Sequence, residues 1–415
     1  MSWTSIKMPG LKHSLASPIF SASFLVIALS IVVAATIVLN TSSAAPWDVT
    51  FVRKWGSACL LSSNTSCQDT SSSPQSQTQN LGDGKFWGIW AIASDNSAIY
   101  TVDVLNHRVQ KFDQNGLFMN KWGTEGSGNG QFNRPSGIAV DLQYVYVVDH
   151  SNRIQIFNKE GQFVSSLGSS GSLPGQLNLP EDVDVDTNGR IYVADSGNHR
   201  IQVFNPNNTT AIVWGSQGTG KGQFDYPQGI AVPAPGHVYV ADSHNNRIQY
   251  FQLLNNCPQG TSTITAGVCF VNEWGKAGNA DGQFDRPADV AVSDGIVYVV
   301  DGNNNRVQLF SKEGTFIKKF GSECLIKTGL EPSESCKKPT TNGPLESGEL
   351  GDGQFKFPAG VTVRSNTIFV ADNYNDRVEG FNVELGPQPT SQMLLQANMQ
   401  VQANAGQTKT VNGGE

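Results

Sequence analysis

Positive charge is scarce in this 415-residue sequence: 28 lysines and arginines stand against 35 aspartates and glutamates, and the net charge of −7 would repel a polyanion. Nucleic-acid binding is therefore not expected. Long apolar runs are few after the first forty residues. Glycine instead is abundant, at 43 residues among many asparagines, aspartates and serines, a composition of turns and short strands rather than helices. Catalytic signatures are missing too: there is no nucleophile elbow, no phosphate-cradling glycine loop and no zinc-protease spacing, and the many Gly-x-Gly triplets fall in repeated turns. Length alone decides little, because closed all-β folds often exceed the usual domain size as one unit.

One apolar run stands apart. Ile19 to Leu39 are 21 residues without a charge, preceded by Lys7 and Lys12 and by no acidic residue. That length suffices to cross a bilayer as a helix, and the lysines hold its start in the cytoplasm, so the chain after Asn40 is expected outside. The alternative is a cleaved signal peptide, with a small-residue processing site at Ser42, Ser43 and Ala44. The expected organisation is a basic region 1–18, a membrane anchor or signal 19–39, a linker 40–48, a repeat domain 49–383 and a Gln/Asn-rich, disordered tail 384–415. The localisation expected is the cell membrane, single-pass with the repeat domain outside, or else secretion.

The cysteines agree with export. They fall in three local pairs, Cys59 with Cys67, Cys257 with Cys269, and Cys324 with Cys336. None has the Cys-x-x-Cys spacing of a zinc knuckle, and local loops of this size suit disulfides made in an oxidising compartment. Sequons at Asn64, Asn207 and Asn208 are compatible with a glycosylated exterior.

The strongest signal is internal repetition. An aspartate ends an apolar strand and is followed by asparagine, arginine and a β-branched residue: Asp103 with Arg108, Asp149 with Arg153, Asp195 with Arg200, Asp242 with Arg247, Asp301 with Arg306, and Asp372 with Arg377. The arginines lie 45, 47, 47, 59 and 71 residues apart, the two long gaps being those that hold the second and third cysteine pairs. Alternation and turn residues place four short strands in each unit. In the second unit these are Gly137–Val140, Tyr144–Val148, Arg153–Phe157 and a strand ending at Leu167-Gly168. Repeats of this length with four strands read as propeller blades.

The run Asn-His-Arg-Val/Ile-Gln, whole at Asn106–Gln110 and Asn198–Gln202, resembles the NHL repeat family. Six copies over residues 49–383 imply that family's six-bladed β-propeller. Individual copies depart from the pattern: two have His before the Arg, the second is one residue shorter, and the sixth has Glu379 in place of Gln. The resemblance implies mainly a binding platform, with some similar proteins acting as lyases on modified peptides and others as RNA binders.

Strand counting predicts how the ring closes. The sixth unit lacks a fourth strand after Phe381, whereas Val49–Trp55 has a fourth-strand ending and no unit of its own, so the N-terminal segment is expected to complete the sixth blade. The chain then joins its outermost strand from the bottom face, about eight residues and roughly 25 to 30 Å after the apolar segment. The bottom is expected to look toward the membrane. Insertions 57–83 and 322–351 both belong to the opposite, top face, and are the leading contact surface for a protein, peptide or glycan.

Candidate chemistry is sparse. A group repeated in every blade is expected to build the blade, so the Asp and Arg rings are assigned to the turn between second and third strands. His107, His150, His199 and His244 lie in those turns without metal spacing. The residues that break the repeat are Asp182, Asp184 and Asp289 on inner strands. They form a candidate channel site for a hard cation such as calcium, or a solvated lining. Trp87 and Trp90 are assigned to packing. No cofactor is expected beyond that calcium. The function expected is an extracytoplasmic binding scaffold, the alternative a metal-assisted lyase or hydrolase at the channel.

Overall fold

The computed structural model describes residues 48–56, 82–321 and 353–384, all within the unit Trp47–Glu384. The apolar run 19–39, the tail, Cys59, Cys67, Cys324, Cys336, Asn64 and nearly all of both top-face insertions lie outside the described residues. No helix among the described residues is long and apolar enough to cross a membrane.

Six antiparallel sheets follow one another along the chain. Blade 3 shows the plan: Pro180–Val185, Ile191–Asp195, Arg200–Phe204 and Thr210–Trp214, each paired with the next. The second strand is buried on both faces, which is why Ile191–Asp195 reads as an unbroken Ile-Tyr-Val-Ala-Asp run. The outer strand Thr210–Trp214 is less covered, with Ala211 exposed, Thr210, Ile212 and Val213 half-buried and only Trp214 buried. The first strands of the six blades, Ile89–Ser94, Pro135–Val140, Pro180–Val185, Pro227–Ala234, Pro287–Ser293 and Pro358–Arg364, together line one central cavity of about 190 Å³. Hydrophobic cores fill the gaps between adjacent blades. One joins Tyr192, Ile201 and Trp214 of blade 3 to Ile230, Val240 and Phe251 of blade 4.

The sixth sheet is built from both ends of the described chain. Asp48–Trp55 pairs antiparallel with Arg377–Glu384, Asp48 opposite Glu384 and Trp55 opposite Val378. This strand also reaches blade 1. The Trp55 ring packs on Phe112, a side chain at Gly116 would collide with that ring at 2.6 Å, and Arg53 Nη1 donates to Gln114 O and Asn115 Oδ1 at 2.7 and 2.8 Å. Asp48 and Glu384 thus sit together at the bottom, whereas Gly56, Gly82, Gly321 and Gly353, which flank the two insertions, belong to the top-face connections.

Two differences from the sequence reading concern strand extent. Inner strands begin at the proline, two residues earlier than expected, because Pro135, Pro180, Pro227, Pro287 and Pro358 each oppose the repeat aspartate. Blade 4 carries a fifth strand, Ser262–Thr265, hairpinned onto Val268–Trp274. The Cys257–Cys269 disulfide staples the start of that insertion to the outer strand.

Candidate functional site

The repeat aspartates are fully buried in all six blades. Each accepts Nε of its blade's arginine, at 2.7 to 3.1 Å. In blade 3 the rest of the guanidinium donates to Ser172 O, Leu173 O and Gln176 O, so one arginine ties the second-to-third turn to the connection that leads into its own blade. The other aspartate oxygen takes a main-chain amide of that connection in five blades, from Trp87, Asn178, Asp225, Asp285 and Lys356. In the shorter second blade it takes Ser151 N of its own turn. Burial raises the carboxyls of Asp103, Asp242, Asp301 and Asp372 above the ordinary range, against the pull of these hydrogen bonds and the arginine charge.

In the channel the three asymmetric aspartates bridge blades. Asp182 Oδ2 accepts Ile230 N at 2.9 Å, Asp184 Oδ2 accepts Val232 N at 2.6 Å, and Asp289 Oδ2 accepts Val361 N at 2.7 Å, each donor lying on the next blade's inner strand. These amides belong to sheet edges with no strand beyond them, and the carboxylates satisfy them. Glycine makes room on the other side: a Cβ at Gly137 would meet Asp182 Cα at 2.5 Å, and one at Gly229 would meet Asp289 Cα at 2.6 Å. Among the described residues no lysine or arginine lines the cavity. The carboxyl of Asp182 is held well above its usual range by burial and by the charge of Asp289, and burial pushes those of Asp184 and Asp289 up to about 7. Among the described residues no group of three or more His, Cys, Asp or Glu side chains is placed to hold a metal ion.

The top-face mouth of this channel carries a second sixfold feature. The last residue of each turn accepts the amide of the residue that precedes the next blade's inner strand. The pairs are His107 Nδ1 with Arg134 N, Asn152 with Leu179, His199 Nδ1 with Tyr226, Asn246 with Arg286, Asn305 with Phe357, and Asp376 with Gly88. Each such bond crosses from one blade to the next. The donors all have positive φ, from 44° at Leu179 to 77° at Gly88, a conformation that costs a non-glycine residue about 1 to 2 kcal/mol. Five of the six positions nonetheless carry Arg, Leu, Tyr, Arg and Phe.

These side chains and their neighbours divide the mouth in two. At blades 6 and 1 it is apolar: Phe357 stacks on Tyr374 at 5.2 Å and contacts Trp90 at 6.2 Å, with Tyr374 and Leu105 exposed. At blades 2 to 4, apart from an exposed Leu179, it is polar: Tyr226 stacks on His244 at 5.1 Å and donates its hydroxyl to Glu181 Oε1 at 2.6 Å, His150 Nε2 stands 3.6 Å from the same oxygen, and Asp225 lies between His199 and His244. Burial and the Glu181 carboxylate raise the Tyr226 hydroxyl, which stays protonated as a donor. Arg134 and Arg286, in blades facing each other across the channel, have no ion pair or side-chain hydrogen bond among the described residues.

The NHL repeat family matches residues 177–204, 224–251 and 284–310, three stretches that run from the connection into a blade through its third strand. The chain is a six-bladed β-propeller with NHL repeats at these stretches. Solved structures align with this propeller at low identity. A protein of unknown function from Bacteroides thetaiotaomicron aligns at 15% identity over 81% of this chain and 76% of its own, with a TM-score of 0.50. The gluconolactonase of Xanthomonas campestris aligns at 13% over 73% and 88%, TM-score 0.48, and the virginiamycin B lyase of Staphylococcus aureus at 15% over 71% and 94%, TM-score 0.45. No curated protein matches the sequence.

Against the sequence reading, the propeller brings Asp182, Asp184 and Asp289 into one channel but commits one oxygen of each to a neighbouring blade's amide. Trp90 belongs to the apolar part of the mouth, and Trp87 gives its amide to Asp103. The mouth residues Arg134, Leu179, Tyr226, Arg286, Phe357 and Glu181 were missed. The available signal was a variable residue directly before a recurring proline, a position that disfavours the helical region without pointing to positive φ.

Proposed function

We propose that the protein is a binding module that presents the top-face mouth of its channel to a peptide segment of a partner protein. The observation that carries this reading is the ring of five large side chains held at positive φ. Strained non-glycine residues persist where surrounding structure over-determines them and cluster at ligand-contacting positions. Here the amide of each is clasped by the preceding blade, so the ring is preorganised. Its apolar half, its two arginines, Arg134 and Arg286, and its hydrogen-bonding half match the mixed contacts of a peptide better than a uniformly polar ligand. Selection from a displayed peptide library with the full-length chain tests it: peptides should be recovered whose binding is lost on changing Phe357 and Arg286, and recovery of none, or of peptides indifferent to those changes, refutes it.

An enzyme is the second reading, favoured by one arrangement: Glu181 sits between a tyrosine hydroxyl and a histidine nitrogen, groups suited to proton transfer. The metal-assisted form has no ligand set among the described residues, and calcium in the channel would compete with the amides already on the three aspartates. A turnover abolished by Glu181→Gln and unaffected by chelator would establish acid–base chemistry at the mouth.

We also propose that Asp48–Trp55 holds the ring shut, supported by its pairing with blade 6 and its contacts to blade 1. The apolar segment 19–39 then tethers the propeller outside the cytoplasm, supported by strand exits at the face opposite the mouth. Protease accessibility of a C-terminal tag on intact cells checks the topology; a tag cut only after lysis would overturn it.

A further inference from the structure

Five blades place a glutamine two residues after the repeat arginine: Gln110, Gln155, Gln202, Gln249 and Gln308. All five are fully buried and bonded alike. Their Oε1 accepts a glycine amide from the connection into the blade, at 2.9 to 3.0 Å from Gly84, Gly130, Gly175, Gly222 and Gly282. Their Nε2 donates to the carbonyl of the residue after that glycine, at 2.6 to 2.8 Å. It donates also to the repeat aspartate, at 2.9 to 3.3 Å. The side chain thus needs one acceptor and one donor.

The sixth blade has Glu379 there, also fully buried. Its Oε2 accepts Gly353 N at 2.9 Å, as the glutamine oxygens do. Its Oε1 takes the place of the donor nitrogen; it is ion-paired with Arg377 Nη2 at 2.5 Å, whose hydrogen bond goes to Gln354 O, and accepts no hydrogen bond among the described residues. Besides the Arg377 guanidinium, the groups at that place, by analogy with the other five blades, are the Gln354 carbonyl and Asp372, both acceptors. An ionised carboxylate offers nothing to either, and a carboxylic acid offers a proton.

We propose that Glu379 is held as the neutral acid, standing in for the glutamine of the other blades, and that its ionisation is a pH-operated release of the blade in which the two ends of the propeller chain meet. Other charges bear on it. Arg377 on its own strand and Lys54, its register partner on the N-terminal strand, favour the ionised form; Asp372 and the buried surroundings oppose it. The opposing effects win and push the Glu379 carboxyl up to about 8. Nearby, Asp376, which clasps Gly88 of blade 1, is raised to about 6 by burial and by the charges of Asp103 and Asp372. Because the folded acid binds its proton more tightly than an unfolded glutamate, its contribution is whole below about pH 4.5 and is lost as pH rises to about 8. No other blade has a titratable group at this position.

The test is the melting midpoint of the full-length protein from pH 5 to 9, for the parent, for Glu379→Gln and for Gln202→Glu. Between those limits the parent should fall by about 5 °C more than Glu379→Gln, which removes only this group's share of the pH dependence. Gln202→Glu should acquire an additional fall of similar size, since blade 3 has the same bonding pattern. Hydrogen exchange at high pH should show protection lost first between Asp48–Trp55 and Arg377–Glu384. Parallel curves for parent and Glu379→Gln, no added pH dependence in Gln202→Glu, or seam protection that is the same at pH 5 and 9 would each overturn the proposal.

Discussion

The turn between second and third strands and the residue before the inner strand are neighbours, joined by a hydrogen bond from each blade to the next, and the chain treats them in opposite ways. In the turn the side chains repeat: a buried aspartate and an arginine, bonded the same way around the ring. Before the inner strand the backbone repeats, at φ near 50° in five blades, while the side chain changes every time but one. The lesson is that repetition of a side chain marks what holds a blade together. Repetition of a backbone under changing side chains marks where a propeller tolerates variety. The turn supplies the rigidity and the mouth uses it.

Four experiments bear on this contrast. The largest effect is expected from deleting residues 48–55, which strips the outer strand from blade 6 and the Trp55 contact from blade 1; the protein should lose its cooperative melt, and a truncated chain melting like the parent would detach ring closure from this strand. Next is the turn itself: Asp195→Ala leaves the Arg200 guanidinium buried opposite no charge, a loss of about 3 to 5 kcal/mol in a denaturant titration, the usual cost of removing one partner of a buried pair.

A smaller effect belongs to the channel. The Asp289 carboxyl, raised to about 7, is protonated more readily when folded, so its contribution to stability is full below about pH 4 and declines as pH rises toward 7. Asp289→Asn should therefore gain on the parent by about 1 kcal/mol between pH 4 and 8, the group being half-buried and partly screened by water. A constant difference across that range would show that burial does not strain this carboxylate. The least effect on stability is expected at the mouth, where Arg134→Gly, Leu179→Gly, Tyr226→Gly and Arg286→Gly relieve positive φ. Each should melt within about 1 kcal/mol of the parent in either direction, strain relief being offset by the greater freedom of unfolded glycine.

The blade plan was readable from sequence because the Asp, Arg and Gln positions serve one local geometry and must recur wherever that geometry does. Strand positions followed from alternation, and the pairing of Val49–Trp55 with blade 6 is where strand counting placed it. The mouth was not readable for the converse reason. Arg134, Tyr226 and Phe357 share no side-chain chemistry, and their common property is a backbone angle fixed by His107, His199 and Asn305 of the preceding blade, a contact between residues about 27 to 52 positions apart. The channel aspartates were singled out as breaks in the repeat, but their hydrogen bonds depend on which blade stands next to which. Glu379 was visible as a departure from the pattern; that its second oxygen faces acceptors required the five glutamines as a reference.

On this reading the mouth binds and the turn builds. This is tested most directly by measuring, for peptides selected on the full-length protein, the affinity of a fourfold variant carrying Arg134→Gly, Leu179→Gly, Tyr226→Gly and Arg286→Gly against that of a bottom-face variant carrying Leu142→Ser. The mouth variant should lose at least tenfold in affinity, which corresponds to about 1.4 kcal/mol, with its fold intact, and the bottom-face variant should lose none. Equal binding by parent and mouth variant, or equal losses at both faces, would contradict it.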